Sequence, residues 1–359
     1  MPMDLDAADP ISPGPAVAEH PVARLSVPTA LGRSARRIVS LLPSATEIVA
    51  ALGLIDRLVG ITHECDHPPA IAHLPRLTSD LTTSATTSRE IDAAVRDALS
   101  DGHGLYRLDA PELAALRPDL VLTQELCSVC AVSYPAVIEA ARLAGGGAEE
   151  PLVVSLEPHR LHDVLASIEL VARLCHVEEA GAELLRALHH RLSAVERASV
   201  ARRAAVVEWL DPLFAPGHWV PDQLSAAGGL SVFGAAGARS VESSWEALAE
   251  ADPEVVILGL CGFDLRRTRA EWASFDPPPA LRSTRAWAEG EVWALDGSAY
   301  VSRPGPRLVD GVEIMADILR GVADDRALRL PPSADAGHAA GGPRSAPPVL
   351  GIPLRGTRL

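Results

Sequence analysis

Short apolar runs alternate with helical patterns along most of the chain. Runs rich in Val, Ile and Leu lie at 37–42, 58–62, 120–123, 152–155, 205–209, 255–260 and 292–295. Between them, apolar residues recur at helical spacing over 43–51, 91–99, 111–116 and 306–319. Strands that alternate with helices form βαβ units, whose strands run parallel. The pattern therefore predicts an α/β fold built on mainly parallel sheets.

Two further helical stretches divide this alternation into halves. Apolar residues keep helical spacing over 161–174, and a second helix is predicted over 177–202. At 1.5 Å per residue the second helix is roughly 40 Å long, which suffices to connect two lobes. We expect two Rossmann-like α/β lobes joined by a long backbone helix, with a ligand cleft between the lobes.

The two halves and the chain ends set the predicted domain boundaries. Both terminal segments are rich in Pro, Ala and Gly and lack apolar periodicity, which is typical of disordered tails. The predicted units are a disordered tail at 1–35, an N-terminal lobe at 36–156, connecting helices at 157–203, a C-terminal lobe at 204–322 and a second tail at 323–359.

Composition narrows the class of partner. The formal net charge is −15, and no stripe of Lys and Arg offsets it, which argues against nucleic acid. The first residues lack the basic stretch and apolar run of a secretory signal, and no apolar stretch is long enough for a membrane span. We expect a cytoplasmic monomer, or a periplasmic or cell-envelope protein if translation starts upstream. GxSxG, Walker, GxGxxG and HExxH motifs are absent, so we expect a binding protein and not an enzyme.

Unusual residues follow the predicted strands directly. Four of the five cysteines do so, whereas Cys175 lies in a helical pattern and is expected to be a buried apolar residue. Ligands of open α/β sheets bind beyond the carboxyl ends of the strands, so these loops and the rigid turn at 303–307 predict the ligand site. The candidate ligand-binding residues are His63, Cys65, Cys127, Cys130, Trp209, His218, Trp219, Cys261, Phe263 and Arg303.

The cysteines leave alternatives open. Thiolates and imidazoles bind thiophilic transition metals. The candidate metal ligands are His63, Cys65, Cys127, Cys130 and Cys261. The Cys127-x-x-Cys130 pair also fits a redox or reactive-thiol enzyme, and each cysteine can instead be a packing residue.

The remaining polar candidates also have alternatives. His63 and His218 suit metal ligation, contact with a ligand, or hydrogen bonding within a loop. Trp219 beside His218 offers a stacking face. Arg303 suits a clamp on an anionic or amide-rich ligand, or a surface ion pair. Asp80, Asp109 and Asp296 are interpreted as turn or helix-capping residues.

Several motifs occur together in the order and spacing of a known family. They are RIVSLLPSATE (37–47), LVGITHECDHPP (58–69), RPDLVL (117–122), AAGG (226–229), DPEVVI (252–257) and RPGPR (303–307). Together they resemble the periplasmic binding proteins for cobalamin and iron chelates, which are substrate-binding proteins of ABC transporters. The likeness extends over 37–320.

The resemblance implies a two-lobed protein that delivers a corrinoid or another metal chelate to an ABC permease. Glu47 and Glu246 match the family's glutamates that pair with permease arginines, and both also suit the first turn of a helix. Cobalamin binders of this family line the cleft with aromatic rings, whereas the loops here carry His and Cys. We expect a corrinoid or metal chelate with His63 or His218 as axial donor. The alternatives are a thiophilic metal ion or a reactive-thiol enzyme.

Overall fold

The N-terminal lobe is built around a parallel sheet. The computed structural model describes residues 34–80, 87–100, 105–124, 134–145 and 150–331. The strands of this lobe are β1 (Ile38–Ser40), β2 (Leu58–Ile61), β3 (Thr78–Asp80), β4 (Tyr106–Leu108), β5 (Leu120–Thr123) and β6 (Leu152–Ser155). The helices that follow these strands in sequence are α1 (Pro43–Ala51), α2 (Ser88–Ser100), α3 (Ala110–Leu116) and α4 (Tyr134–Gly145). The sheet has the order β2-β1-β5-β6 with parallel neighbours, and β3 pairs with β4 in an antiparallel hairpin.

The connection between the lobes consists of α5 (Leu161–Leu174) and α6 (Glu178–Ala194). Val164 in the first half of α5 packs in the core of the C-terminal lobe, whereas Val171 packs in the core of the N-terminal lobe. The single long helix predicted here is wrong, because α6 ends after 17 residues, roughly 25 Å. At Val195 the backbone leaves the helical conformation, and the side chain packs against the core of the C-terminal lobe.

The C-terminal lobe repeats the α/β pattern. Its strands are β7 (Arg203–Val207), β8 (Trp209–Leu210), β9 (Leu213–Ala215), β10 (Leu230–Ser231), β11 (Val241–Glu242), β12 (Val255–Leu258), β13 (Val292–Leu295) and β14 (Ala327–Arg329). Its helices are α7 (Val220–Ala226), α8 (Trp245–Glu250), α9 (Leu265–Ser274), α10 (Pro279–Arg282), α11 (Arg285–Ala288), α12 (Gly297–Tyr300) and α13 (Leu308–Arg320). The main sheet has the order β10-β7-β12-β13-β14, and β11-β9-β8 form a small antiparallel sheet.

The α/β fold predicted from the sequence is confirmed, and the strands show why. All residues of β5, β12 and β13 are buried, as expected for parallel strands that helices cover on both faces. Apolar clusters fill both faces of each main sheet. The predicted end of the fold at 322 is too early, since β14 pairs antiparallel with β13 and Leu330 is buried. The remainder of the two predicted tails, 1–33 and 332–359, lies outside the described residues.

Helix α2 lies on the lobe opposite to the one that its place in the sequence suggests. In the sequence, α2 stands between β3 and β4 of the N-terminal lobe. Ile91 of α2 nevertheless packs against the core of the C-terminal lobe. Ser88 donates hydrogen bonds to Glu271 of α9 and accepts one from the Trp209 indole. The predicted N-terminal lobe therefore contains one element that packs on the other lobe.

Candidate functional site

Loops from the two lobes contact each other directly. The loop after β2 carries Glu64 and Asp66, and the turn before α13 carries Arg303. The Arg303 guanidinium donates to Asp66 Oδ1 at 2.5 Å, to Asp66 Oδ2 at 3.2 Å and to the Glu64 carbonyl at 3.0 Å. This two-pronged geometry matches the planar donors of Arg to a carboxylate. From the sequence, Arg303 could either bind an anionic or amide-rich ligand or form a surface ion pair. In the structure it forms an ion pair between the lobes.

A second ion pair lies deeper between the lobes. The Arg307 guanidinium donates to Glu47 Oε1 at 2.5 Å and to Oε2 at 2.9 Å, and Arg303 lies 3.6 Å from the same carboxylate. The Glu47 side chain is 3% exposed. A carboxylate this deeply buried needs compensating charge, which the two guanidinium groups supply.

The placement of Glu47 bears on both roles considered for it. α1 has no side-chain cap, so Glu47 does not act in a capping pair. Docking to another protein needs an exposed carboxylate, and that of Glu47 is buried against Arg307, so this role does not fit the structure. Glu246, in the first turn of α8, is exposed.

His63, in the loop after β2, is held by one ring nitrogen. Its Nδ1 lies 2.7 Å from Thr78 Oγ1, and Thr78 Oγ1 also accepts the backbone N–H of His63 at 3.0 Å. The ring is half-buried, and its centroid lies 5.5 Å from that of Tyr106. Nε2 has no hydrogen-bond partner among the residues that the structure describes. With the proton on Nδ1, Nε2 is left with a lone pair for a ligand.

Glu64 and Tyr106 add hydrogen-bonding groups beside His63. The Tyr106 hydroxyl donates to Glu64 Oε1 at 3.3 Å. The carboxyl of Glu64 stays accessible to solvent, but surrounding protein raises its pKa, while His63 and Arg303 act in the opposite direction. The loop after β2 and the start of β4 therefore bring together an imidazole, a phenol and a carboxyl that protonates more readily than usual.

Three of the predicted ligand-binding residues are core residues instead. Cys65 is 2% exposed, contacts Thr46 Oγ1 at 3.1 Å, and burial raises the pKa of its thiol to about 11. Phe263 is 1% exposed and packs in the core of the C-terminal lobe. Trp219 is buried, and its indole donates to the Val301 carbonyl at 2.7 Å. Each follows a strand as predicted, but its side chain points into the apolar layer beside the sheet.

Trp209 and Cys261 stay nearer the surface. Trp209 is half-buried, donates to the Ser88 carbonyl at 3.2 Å and meets the Phe263 ring edge-on at 5.3 Å. Cys261 is exposed, and Cys175 is buried as predicted. Cys127 and Cys130 lie outside the described residues. Within the described ranges, no group of three or more His, Cys, Asp or Glu side chains is arranged to hold a metal ion, so the predicted metal set is not assembled there.

His218 lies in a strained loop of the C-terminal lobe. Its φ is 46°, in the left-handed region, and its N–H donates to the Ala238 carbonyl at 2.6 Å. Burial, and then the nearby His159, lower the pKa of the imidazole. Its Nε2 is buried and has no hydrogen-bond partner within the described part of the chain. His218 is therefore a neutral imidazole whose ring lies beside Trp219, at 5.6 Å between centroids.

Glu208 is a titratable group that the sequence analysis missed. It follows β7, and its backbone carbonyl accepts from the Cys261 N–H at 3.0 Å. Its largely buried carboxyl accepts from the Ser240 hydroxyl and the Gly217 N–H, and burial raises its pKa from 4.5 to about 7. The sequence analysis placed Glu208 inside the predicted strand at 205–209, and the available signal was a single carboxylate within that otherwise apolar run. The sequence analysis also missed four residues whose role depends on contacts between distant segments, which the sequence does not show: Glu64, Asp66, Tyr106 and Arg307.

The parallel sheets, the connecting helices and the facing loops define a two-lobed α/β binding protein. A family model for periplasmic binding proteins matches residues 38–299, and the chain belongs to this family. The chain is similar to the vitamin B12-binding protein of Vibrio cholerae, with 23% identity over 292 residues, covering 80% of this chain and 90% of the relative. It is also 22% identical to an uncharacterized ABC transporter substrate-binding lipoprotein of Bacillus subtilis, covering 79% of each chain.

Solved structures show the same fold. A periplasmic heme-binding protein from a Roseiflexus species has a TM-score of 0.58 at 21% identity, covering 81% of this chain and 100% of that one. The Vibrio cholerae periplasmic vitamin B12-binding protein has a TM-score of 0.55 at 21% identity, covering 80% and 98%. The names of these proteins describe them as periplasmic or as a lipoprotein. They therefore give no support to the cytoplasmic location expected from the sequence. In the described ranges, no helix is both long and apolar enough to cross a membrane.

Proposed function

We propose that this chain is the substrate-binding component of an ABC importer and binds a corrinoid or a related metal chelate between its lobes. Membership of the periplasmic binding protein family supports the binding role. The names of its relatives, which bind vitamin B12 or heme, support a metal macrocycle as the class of ligand. A non-catalytic monomer in the periplasm or cell envelope is part of the same proposal.

The observation that carries this proposal is the arrangement of His63. A metal-binding imidazole typically has its second nitrogen fixed by a hydrogen bond, which sets the tautomer and the direction of the ring. Thr78 Oγ1 provides that bond at 2.7 Å. The remaining nitrogen, Nε2, is then the axial donor for the metal at the centre of a macrocycle. Glu64 and Tyr106 lie beside the ring and can bind the amide or carboxylate groups at the macrocycle's edge.

His218 is the second candidate for an axial donor. Its neutral imidazole suits metal ligation, but its Nε2 is buried in the loop beside Trp219. His63 is half-buried and already anchored at Nδ1, so it can meet a ligand without rearrangement of its loop. We therefore assign the axial role to His63.

The permease is proposed to dock at Glu246. This carboxylate is exposed and lies beside a cavity of about 320 Å³ lined by Trp245, Phe275 and Pro278, among others. An arginine from a partner would find both a carboxylate and aromatic faces there. Glu47 is not included, because its carboxylate is already paired with Arg307.

Calorimetry and visible spectroscopy with hydroxocobalamin and with hemin test the proposal on the full chain. We expect one of them to bind once per chain with a Kd of about 1 μM or tighter, which corresponds to about −8 kcal/mol. His63→Ala should weaken that binding by at least about tenfold, since one metal–ligand bond is lost, and should remove the spectral change of axial ligation. His73→Ala is the matched control, because His73 is an exposed histidine that contacts the Ala70 carbonyl. Absence of heat and of spectral change with both compounds would refute the proposed function.

A further inference from the structure

Two histidines from distant parts of the chain come together beside the start of α5. His159 lies between β6 and α5, and His218 lies between β9 and α7. Their ring centroids are 6.0 Å apart, and the ring planes are inclined by 36°. His159 is exposed, and its imidazole has no hydrogen-bond partner among the described residues. The pair therefore brings the connection between the lobes next to a loop of the C-terminal lobe.

The loop that carries His218 is fixed on both sides of this residue. The backbone N–H of His218 donates to the Ala238 carbonyl at 2.6 Å, and its carbonyl accepts the Gly237 N–H at 2.9 Å. The preceding residue, Gly217, donates to the Ser240 hydroxyl at 3.1 Å. These bonds hold His218 in the left-handed region, which is unfavourable for a residue with a side chain. Backbone strain of this kind occurs preferentially at sites that bind ligands.

The His218 imidazole makes no hydrogen bond that the fold needs. Its Nε2 is buried and lacks a hydrogen-bond partner within the described ranges, which is destabilising for a polar group. Burial, and then the nearby His159 and Arg239, lower the pKa of the ring. The imidazole is therefore neutral at pH 7, and one of its nitrogens carries a free lone pair. A neutral imidazole with an unpaired nitrogen is suited to binding a metal ion.

The distance between the two rings fits a shared metal ion. A transition metal lies about 2.0–2.1 Å from an imidazole nitrogen, and therefore about 3.2 Å from the ring centroid. Two rings that bind one ion have centroids about 5 Å apart at a tetrahedral angle and at most about 6.4 Å apart. The observed 6.0 Å lies within this range. The Asp163 carboxylate, which accepts the His159 N–H at 3.0 Å, supplies a negative charge beside the pair.

We propose that His159 and His218 together bind one divalent transition metal ion of the kind that prefers imidazole nitrogen, such as Ni²⁺ or Zn²⁺. Two protein nitrogens leave the remaining positions of the ion for water or for a ligand from solution. The site is therefore an open one, unlike structural sites with four protein ligands. It does not depend on His63 or on the binding of a macrocycle, so it is tested separately from the proposed function.

Calorimetric titration of the full chain with NiCl₂ at pH 7.5 tests the site. His159→Ala should remove one equivalent of bound Ni²⁺ or weaken its binding by at least about tenfold, since one of two nitrogen ligands is lost. His218→Asn should have the same effect, and asparagine is chosen because it tolerates the left-handed backbone at this position. The double variant should lose no more than either single variant, because both residues bind the same ion. Urea unfolding gives a second readout, since Ni²⁺ should stabilise the wild-type chain more than His159→Ala.

His162→Ala is the matched control and should leave Ni²⁺ binding unchanged. His162 is an exposed histidine in the first turn of α5, and its Nε2 lies 3.1 Å from Asp163 Oδ1. His63→Ala should also leave Ni²⁺ binding unchanged, which separates this site from the one proposed for a macrocycle.

Three results overturn the two-histidine site. They are the absence of Ni²⁺ binding to the wild-type chain, unchanged binding in His159→Ala, and an equal loss of binding in His162→Ala or His63→Ala. Failure of hydroxocobalamin and hemin to bind refutes the proposed function instead, and the titration with Ni²⁺ still decides whether the two histidines bind a metal ion.

Discussion

The buried carboxyl of Glu208 makes the stability of this protein depend on pH in a defined window. Its pKa is about 7 in the folded chain, against an ordinary value of 4.5. Between these two pH values the folded state holds a proton that the unfolded state has lost, so the free energy of unfolding falls as pH rises. At about 1.4 kcal/mol per pH unit the full effect is about 3 kcal/mol, with the stabilisation present below pH 4.5 and lost above pH 7.

Glu208→Gln is the perturbation that isolates this effect. The amide keeps an acceptor oxygen for the Ser240 hydroxyl and the Gly217 N–H but cannot ionise. The free energy of unfolding of the variant should therefore rise relative to that of the wild-type chain as pH rises, by about 2 kcal/mol between pH 5.5 and pH 8.5. Comparing the variant with the wild type at each pH removes any constant effect of the substitution itself.

Urea unfolding followed by circular dichroism, at intervals of half a pH unit, measures this difference. Glu183→Gln, an exposed glutamate on α6, serves as the control and should give a difference that does not vary with pH. If the Glu208→Gln curve also runs parallel to the wild-type curve, the carboxyl ionises normally in the folded chain. The burial of the Glu208 carboxyl described above would then be wrong.

Two further predictions concern the ion pairs and the cysteines. Arg307→Met should lower the free energy of unfolding by about 3 kcal/mol, because it leaves the Glu47 carboxylate buried without its main partner. In the same urea assay Arg173→Met, in an exposed pair with Glu169, should cost less than about 1 kcal/mol, and equal losses would contradict the burial argument. Iodoacetamide at pH 7.5 should modify Cys261 while Cys65 and Cys175 react only after unfolding, since burial raises the pKa of both thiols to about 11. Peptide mass spectrometry measures the extent of modification at each cysteine. Modification of Cys65 before unfolding would contradict its position in the core.

Local patterns in the sequence predicted the elements because those patterns act over a few residues. The apolar runs became β5, β6, β12 and β13 with few changes at their ends. Asp109 and Asp296 cap helices as interpreted, each accepting from a backbone N–H three residues on. Asp80 does not, because it is the last residue of strand β3 and pairs with Tyr106 of β4. Such bonds depend on spacing along the chain, which the sequence states directly.

The site was predicted less well because it depends on contacts between distant segments. Loops after strands were located correctly, but the direction of a side chain within a loop depends on its packing, which put Phe263 and Trp219 in the core. The pairs Arg303–Asp66 and Arg307–Glu47 join residues 237 and 260 positions apart. A pattern that covers a few neighbouring residues cannot show which residues pair across such separations in the sequence. The position of α2 on the opposite lobe has the same cause.

The passage of α5 through both lobes affects how the protein folds. Val164 completes the core of one lobe and Val171 that of the other, on a single helix two turns apart. Neither lobe can lose this helix without exposing its own apolar core, so the two are expected to melt together in one cooperative transition. A chain cut between the lobes would leave one half without part of its interior. The lobes are therefore separate in architecture but form a single unit of folding.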